Sequence, residues 1–329
     1  MIPTPNVRAL FEAATVQQAT APYDTVHLKV FYPAAAEQGA DTLELGVVPA
    51  DPGGAPYPVV LLFNGIDCGP DRYQWLAQTL AGRGSVAITF SWVAEMLPGF
   101  VALTPGIDMA LGRAGSIPER PSAAALPALF DALERLQARG PLAGLLDLDH
   151  IVLGGHSAGG RVAVDSADPR FDPRISGAFA YGAHTGGFVM LGHPPETILP
   201  LPDRLPLLLM VGTSDGVIPG SARRYGAQWQ DAVAPVERTF RDALAGGRGD
   251  SWLLVIDGAN HFSIADPPDD PATGRAFLDR PAEHPAPEIR ALIGEAVGRF
   301  VDVAVGRARA GDGLAGLGTH PLVSALECR

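Results

Sequence analysis

Lysine is almost absent from this chain. Lys29 is the only one, and arginine supplies the rest of 24 positive charges set against 36 acidic residues. The formal charge of −12, with no Lys/Arg cluster, excludes a phosphate-tracking surface and with it nucleic acid as a partner. Cysteine is nearly as scarce. Cys68 and Cys328 lie far apart and neither belongs to a Cys-x-x-Cys, so no disulfide framework follows. Both are read as reduced thiols of a cytoplasmic protein. No apolar run nears the ~18 residues that cross a membrane, since the best ones, 59–63 and 205–211, have strand length. The opening MIPTPNVRALFEAATV lacks a basic stretch followed by an apolar one, so no secretion signal is expected.

What is present suits one large domain. Of 329 residues, 47% are hydrophobic, enough to bury a core and to exclude general disorder. The 39 glycines and 31 prolines show no collagen-like period, and there is no internal repeat. Residues 1–22 read as a short amphipathic helical extension. Period-2 alternation predicts half-exposed strands over 23–32 and 42–48, followed by a turn-rich stretch at 51–58. A continuous apolar run then predicts a strand buried on both faces at 59–63, and further strands are expected at 85–90, 150–153, 175–180, 205–211 and 251–256. Helical spacing marks 74–83, 122–139 with Pro127 kinking its early turns, a helix after Ser157, and 288–305. Such alternation implies βαβ units and a mostly parallel sheet with helices on both faces. The domain is placed at 23–310, with 266–287 an excursion and 311–329 a loosely held tail.

The sharpest motif is Gly155-His156-Ser157-Ala158-Gly159. A nucleophilic serine needs a tight strand-to-helix turn with small neighbours, so that the backbone bends sharply and substrate can approach. A second Gly-x-Ser-x-Gly, 212–216, also follows a strand, but Pro219 and Gly220 come too soon for a well-formed helix behind Ser214. Its interest lies in Asp215. A serine hydroxyl becomes a nucleophile when an imidazole takes its proton and a carboxylate orients that imidazole. Ser157, Asp215 and His261 follow successive predicted strands in the order Ser, Asp, His. Asp257, four residues before His261, is the alternative acid. The oxyanion donors expected are the N–H of Ala158 and that of Ile66, with Gly65 the runner-up. Asn64 either donates from its side chain or braces the loop, and His156 belongs to the elbow. His184 either faces the pocket or is an ordinary loop histidine. The remaining histidines show no metal-ligand spacing, so no metal and no cofactor are expected.

Together VVLLFNG, YQWLAQTLAGRG, GHSAGG, VGTSDGVIP and GANHF resemble the α/β-hydrolase superfamily over residues 23–307. Within it they are most similar to the branch of chlorophyllases, dienelactone hydrolases, platelet-activating-factor acetylhydrolase-like enzymes and polyester-degrading esterases. The resemblance implies the α/β-hydrolase fold, with a central sheet of about eight strands. It also implies Ser157, Asp215 and His261 as the triad, with Ile66 and Ala158 at the oxyanion positions. Two positions depart from the pattern: Asn64-Gly65 replaces the usual His-Gly, and His156 stands where polyester hydrolases commonly carry Trp.

Two apolar segments are candidate pocket walls. The first, 91–109, offers Trp92, Met96 and Phe100, either as a short core-completing helix or as a flap. The second, 186–201, offers Phe188, Met190 and Leu191. Neither has the size of a separate cap domain. The expected activity is hydrolysis of small to medium apolar esters through an acyl-enzyme. Acyl transfer, thioester cleavage or cyclisation on the same residues, and binding without turnover, are the alternatives. The expected partner is a small-molecule ester, and the sequence carries no sign of oligomeric state.

Overall fold

Alternation along one strand sets the layout. The computed structural model describes residues 6–36, 46–97, 99–116, 119–268, 274, 276–309 and 313–329. Every residue of β3 (Tyr57–Phe63) is buried. Val59, Leu61 and Phe63 point into one apolar cluster, and Val60 and Leu62 into another. Successive side chains in a strand face opposite sides, so a strand covered on both faces must be apolar throughout. Helices α2 (Leu126–Ala138), α3 (Ala158–Asp165) and α5 (Val233–Asp242) pack on the first face. Helices α1 (Gln74–Gly82) and α6 (Ala286–Ala304) pack on the second. Pro127 sits in the first turn of α2, where its missing N–H costs nothing, so it starts the helix and does not kink it.

The sheet has ten strands, not about eight. In spatial order they are β1 (Asn6–Thr15), β2 (Thr25–Ala34), β4 (Val86–Leu97), β3, β6 (Leu146–His156), β7 (Ile175–Tyr181), β8 (Leu207–Gly212), β9 (Trp252–Ile256) and β10 (Val323–Cys328), with β5 (Phe100–Leu103) paired to β4. The run from β4 to β9 is parallel, and antiparallel strands flank it on both sides.

Three segments differ from their sequence reading. Residues 6–15 form the strand β1, not a helix, paired with β2 from Asn6↔Ala34 to Thr15↔Thr25. Long-range ladder bonds override the helix propensity of an Ala- and Leu-containing stretch. Residues 323–328, expected to be a loose tail, pair with β9 as a strand. In the predicted wall 91–109, residues 91–97 and 100–103 form not a core-completing helix but the paired strands β4 and β5, with Phe100 and Val101 about half exposed. The strand expected at 42–48 falls largely outside the described residues, and 46–48 carry no strand. Among the described residues no helix is long and apolar enough to cross a membrane.

Candidate active site

The parallel strands all end at one edge, and the site is built from the loops they release there. Strand β6 runs straight into Ser157, whose backbone has φ 55° and ψ −122° before α3 begins at Ala158. A non-glycine residue held at positive φ stores on the order of 1–3 kcal/mol, and such strain persists where the surroundings over-determine it. Here two glycines do so. A Cβ on Gly155 would lie 2.5 Å from the backbone of Gly159, and one on Gly159 would lie 2.3 Å from the carbonyl oxygen of Phe63. The elbow therefore packs backbone to backbone against the end of β3. That contact sets Ser157 beside the 64–66 loop, where a Cβ on Gly65 would be 3.5 Å from the Cβ of Ser157.

The loop after β8 carries Asp215, fully buried. Its Oδ1 accepts the N–H groups of Val217 at 2.9 Å and Ile218 at 3.0 Å, at the start of the one-turn helix α4 (Val217–Gly220). Those two bonds hold the carboxylate still and leave Oδ2 for the Nδ1 of His261 at 2.6 Å. His261, from the loop after β9, is 2% exposed. Burial alone would lower its pKa. The charge and hydrogen bond of Asp215, with help from Asp279, outweigh that and hold it above the ordinary imidazole value. Ser157 and His261 line the same cleft of about 510 Å³. Asp257, the alternative acid, instead meets His284 Nε2 at 3.0 Å and Ser324. Ser214, from the second Gly-x-Ser-x-Gly, donates to Glu283 at 2.6 Å.

The oxyanion candidates differ in their hydrogen bonds. Tyr73 Oη accepts the N–H of Gly65 at 3.2 Å and lies 2.8 Å from His156 Nδ1. The Gly65 N–H is thus already engaged. Gly65, Ile66 and Ala158 all line the cleft, and among the described residues nothing accepts the N–H of Ile66 or of Ala158. Ala158 opens α3, where the helix dipole adds positive potential. Asn64 is not among the residues lining the cleft: it is fully buried, and its Nδ2 donates to the Gly65 carbonyl at 2.8 Å.

No family model matches the chain, and no curated protein matches it. Among solved structures, a ferulic acid esterase from Streptomyces cinnamoneus is similar, with a TM-score of 0.57 and 17% identity, over 93% of this chain and 92% of that one. The two share a fold.

Of the predicted wall residues, Met96, Phe100, Phe188 and Met190 line the cleft, together with His156 and His184. Trp92 does not. It is 5% exposed, its Nε1 donates to the Tyr23 carbonyl, and its ring packs where a Gly106 side chain would stand. The sequence reading missed Tyr225 and Trp229, which join His184 and Phe188 in an aromatic wall. His184 meets Tyr225 and Trp229 edge to face at 4.6 and 4.7 Å, and Tyr225 stacks on Phe188 at 4.9 Å. Arg161 ties this wall to α3, donating to the carbonyls of His184 and Gly186 while its Nε meets Asp165 at 2.6 Å. Beyond Arg161 and Phe188 a second hollow of about 640 Å³ adjoins the cleft, lined by Phe171, Leu191 and His193 among others. Among the described residues no three His, Cys, Asp or Glu side chains gather as metal ligands would.

His184 carries a pH consequence. Burial, with the positive Arg161 and His261 nearby, lowers its pKa to about 3, while its Nδ1 accepts the Gly186 N–H. In the unfolded chain it titrates at about 6.5, so between these values the unfolded state binds more protons and stability rises with pH. Its contribution is full above about pH 6.5 and declines below it by ~1.4 kcal/mol per pH unit. His156, also lowered by burial, acts in the same direction. Thermal melts should therefore fall steadily from pH 6.5 to 4.5 in the wild type and less steeply in His184→Gln. Equal slopes would overturn the assignment of a neutral buried ring.

Proposed function

We propose that the chain is a serine carboxylic ester hydrolase. The observation that carries this reading is the 2.6 Å bond from Asp215 to His261, in a cleft that also holds a serine at positive φ. Ser157 Oγ attacks the ester carbonyl carbon as its proton passes to Nε2 of His261. Asp215 accepts a hydrogen bond from the Nδ1–H, keeps the imidazole in the required tautomer and stabilises the imidazolium. The N–H groups of Ile66 and Ala158 receive the oxyanion. Collapse returns the proton from His261 to the departing alcohol and leaves Ser157 acylated. Water, deprotonated by His261, attacks the acyl carbonyl, and a second collapse releases the acid and restores the serine hydroxyl.

The aromatic wall of Phe188, Tyr225 and His184 suits a flat acyl group, stacked at one face and met by ring edges at another. The similar solved structure is named for ferulic acid esters, which carry such a group. We therefore place aromatic esters of small to medium size first among substrates.

Hydrolysis of p-nitrophenyl esters from acetate to palmitate, beside methyl ferulate, tests both parts. Turnover with an optimum at short chains and at the aryl ester is the expected result. Because the His261 pKa is raised and only its neutral form accepts a proton, kcat/KM should decline on the acid side with a midpoint above about 6.5. No turnover, together with no labelling of Ser157 by a fluorophosphonate, would overturn the reading.

A further inference from the structure

The triad residues sit on separate loops, and something must hold those loops in register. A strap at 276–284, laid across the ends of β8 and β9, does this through several contacts. Ser214 donates to Glu283, and the Asn260 side chain donates to the Arg280 carbonyl at 2.7 Å. The Glu283 N–H reaches the Gly258 carbonyl at 2.8 Å. A Cβ on Gly216 would lie 2.4 Å from the Leu278 carbonyl oxygen, so the strap lies directly on the acid loop.

Asp279 stands at the centre of the strap. Its Oδ1 accepts the N–H of Gly216 at 2.9 Å, of His261 at 3.3 Å and of its neighbour Arg280 at 3.0 Å. Its Oδ2 accepts the N–H of Phe262 at 3.3 Å. One carboxylate thus holds the residue after Asp215 and the backbone of His261 itself. Among the described residues it has no ion-pair partner, so these amides carry the solvation of its charge.

We propose that Asp279 is a positioning residue, tying the acid loop to the histidine loop and supplying a second negative charge that favours the His261 imidazolium. The role rests on the ester-hydrolase reading for its purpose but not for its geometry. The titratable groups around His261 are Asp215, Asp279, His156, His184 and Tyr181. Burial keeps both other imidazoles neutral, and it raises the Tyr181 phenol well above its ordinary value. At neutral pH the two carboxylates are therefore the charges that His261 feels.

Asp279→Asn separates the two contributions, because an amide oxygen in place of Oδ1 keeps three of the four bonds while the charge is lost. The test follows the imidazole titration of His261 by NMR, with the downfield proton of the His261–Asp215 hydrogen bond. Asp279→Asn is expected to lower the His261 pKa by about one unit and to move the acid limb of kcat/KM down equally. Asp279→Ala should additionally broaden or lose the downfield proton and lower kcat at pH 8 about tenfold, with KM within about twofold. An unmoved His261 pKa in Asp279→Asn overturns the charge role. A sharp downfield proton and wild-type kcat in Asp279→Ala overturn the tie. Should Asp279→Ala fail to fold, Asp279→Ser takes its place. NMR shifts in a protein that hydrolyses no ester would leave Asp279 in its role and sink the ester-hydrolase reading alone.

Discussion

Ser157→Ala is expected to lower kcat on p-nitrophenyl esters at least about 10⁴-fold while the protein folds normally. The oxyanion donors are backbone groups and survive the substitution, so the mutant should retain ester binding and a small residual rate over water. Stability gives a second, independent reading of the elbow. At φ 55° glycine pays no steric penalty and alanine pays the same one as serine. Ser157→Gly should therefore melt above Ser157→Ala, by on the order of 1 kcal/mol. Catalysis persisting in Ser157→Ala would remove the nucleophile from the mechanism. Equal melting of Ala and Gly variants would remove the strain from the elbow.

Gly159→Ala is expected to damage both activity and stability, although the residue touches no substrate. The added methyl would meet the carbonyl oxygens of Phe63 and Asn64 at 2.3 and 2.4 Å, and both belong to backbone that cannot rotate away. Relief requires the end of β3 to move from the elbow, and the loop bearing the Ile66 N–H moves with it. Overpacking of this kind costs about 1–3 kcal/mol, and a misplaced oxyanion donor costs about 10²–10³ in kcat. Differential scanning calorimetry and steady-state rates on the purified variant check both numbers. A variant with wild-type kcat would mean that the elbow and the oxyanion loop are not coupled by contact.

Much of the fold was legible because β3, β8 and β9 are apolar almost without interruption and the buried spans of β4, β6 and β7 are mostly so. The positions of Ser157, Asp215 and His261 were legible for a related reason: each sits in a short turn directly after such a strand. The margins were harder. Strand β1 pairs on one side only and half faces water, so its composition resembles that of a surface helix, and the ladder with β2 decides the outcome. Trp92 read as a pocket wall because an apolar residue gives no sign of which side of a sheet it will face; a one-residue change in register exchanges the two. Asp279 left no trace at all. Its partners are backbone amides 17 to 63 positions away and its own neighbour, and backbone groups carry no side-chain identity for a motif to record.

The last strand has a consequence for synthesis. Chains leave the ribosome N-terminus first and fold as they emerge. The elbow and the acid loop rest on strands that gain both neighbours once β9 has formed. The strand that leads into His261 is different, because its outer edge is covered by β10, and residues 323–328 emerge long after it. A nascent chain halted before residue 323 would thus hold Ser157 and Asp215 beside a His261 whose supporting strand is still open on one side. The sheet edge beside His261 is therefore closed only after residues 323–328 have been translated, and not when the histidine itself is.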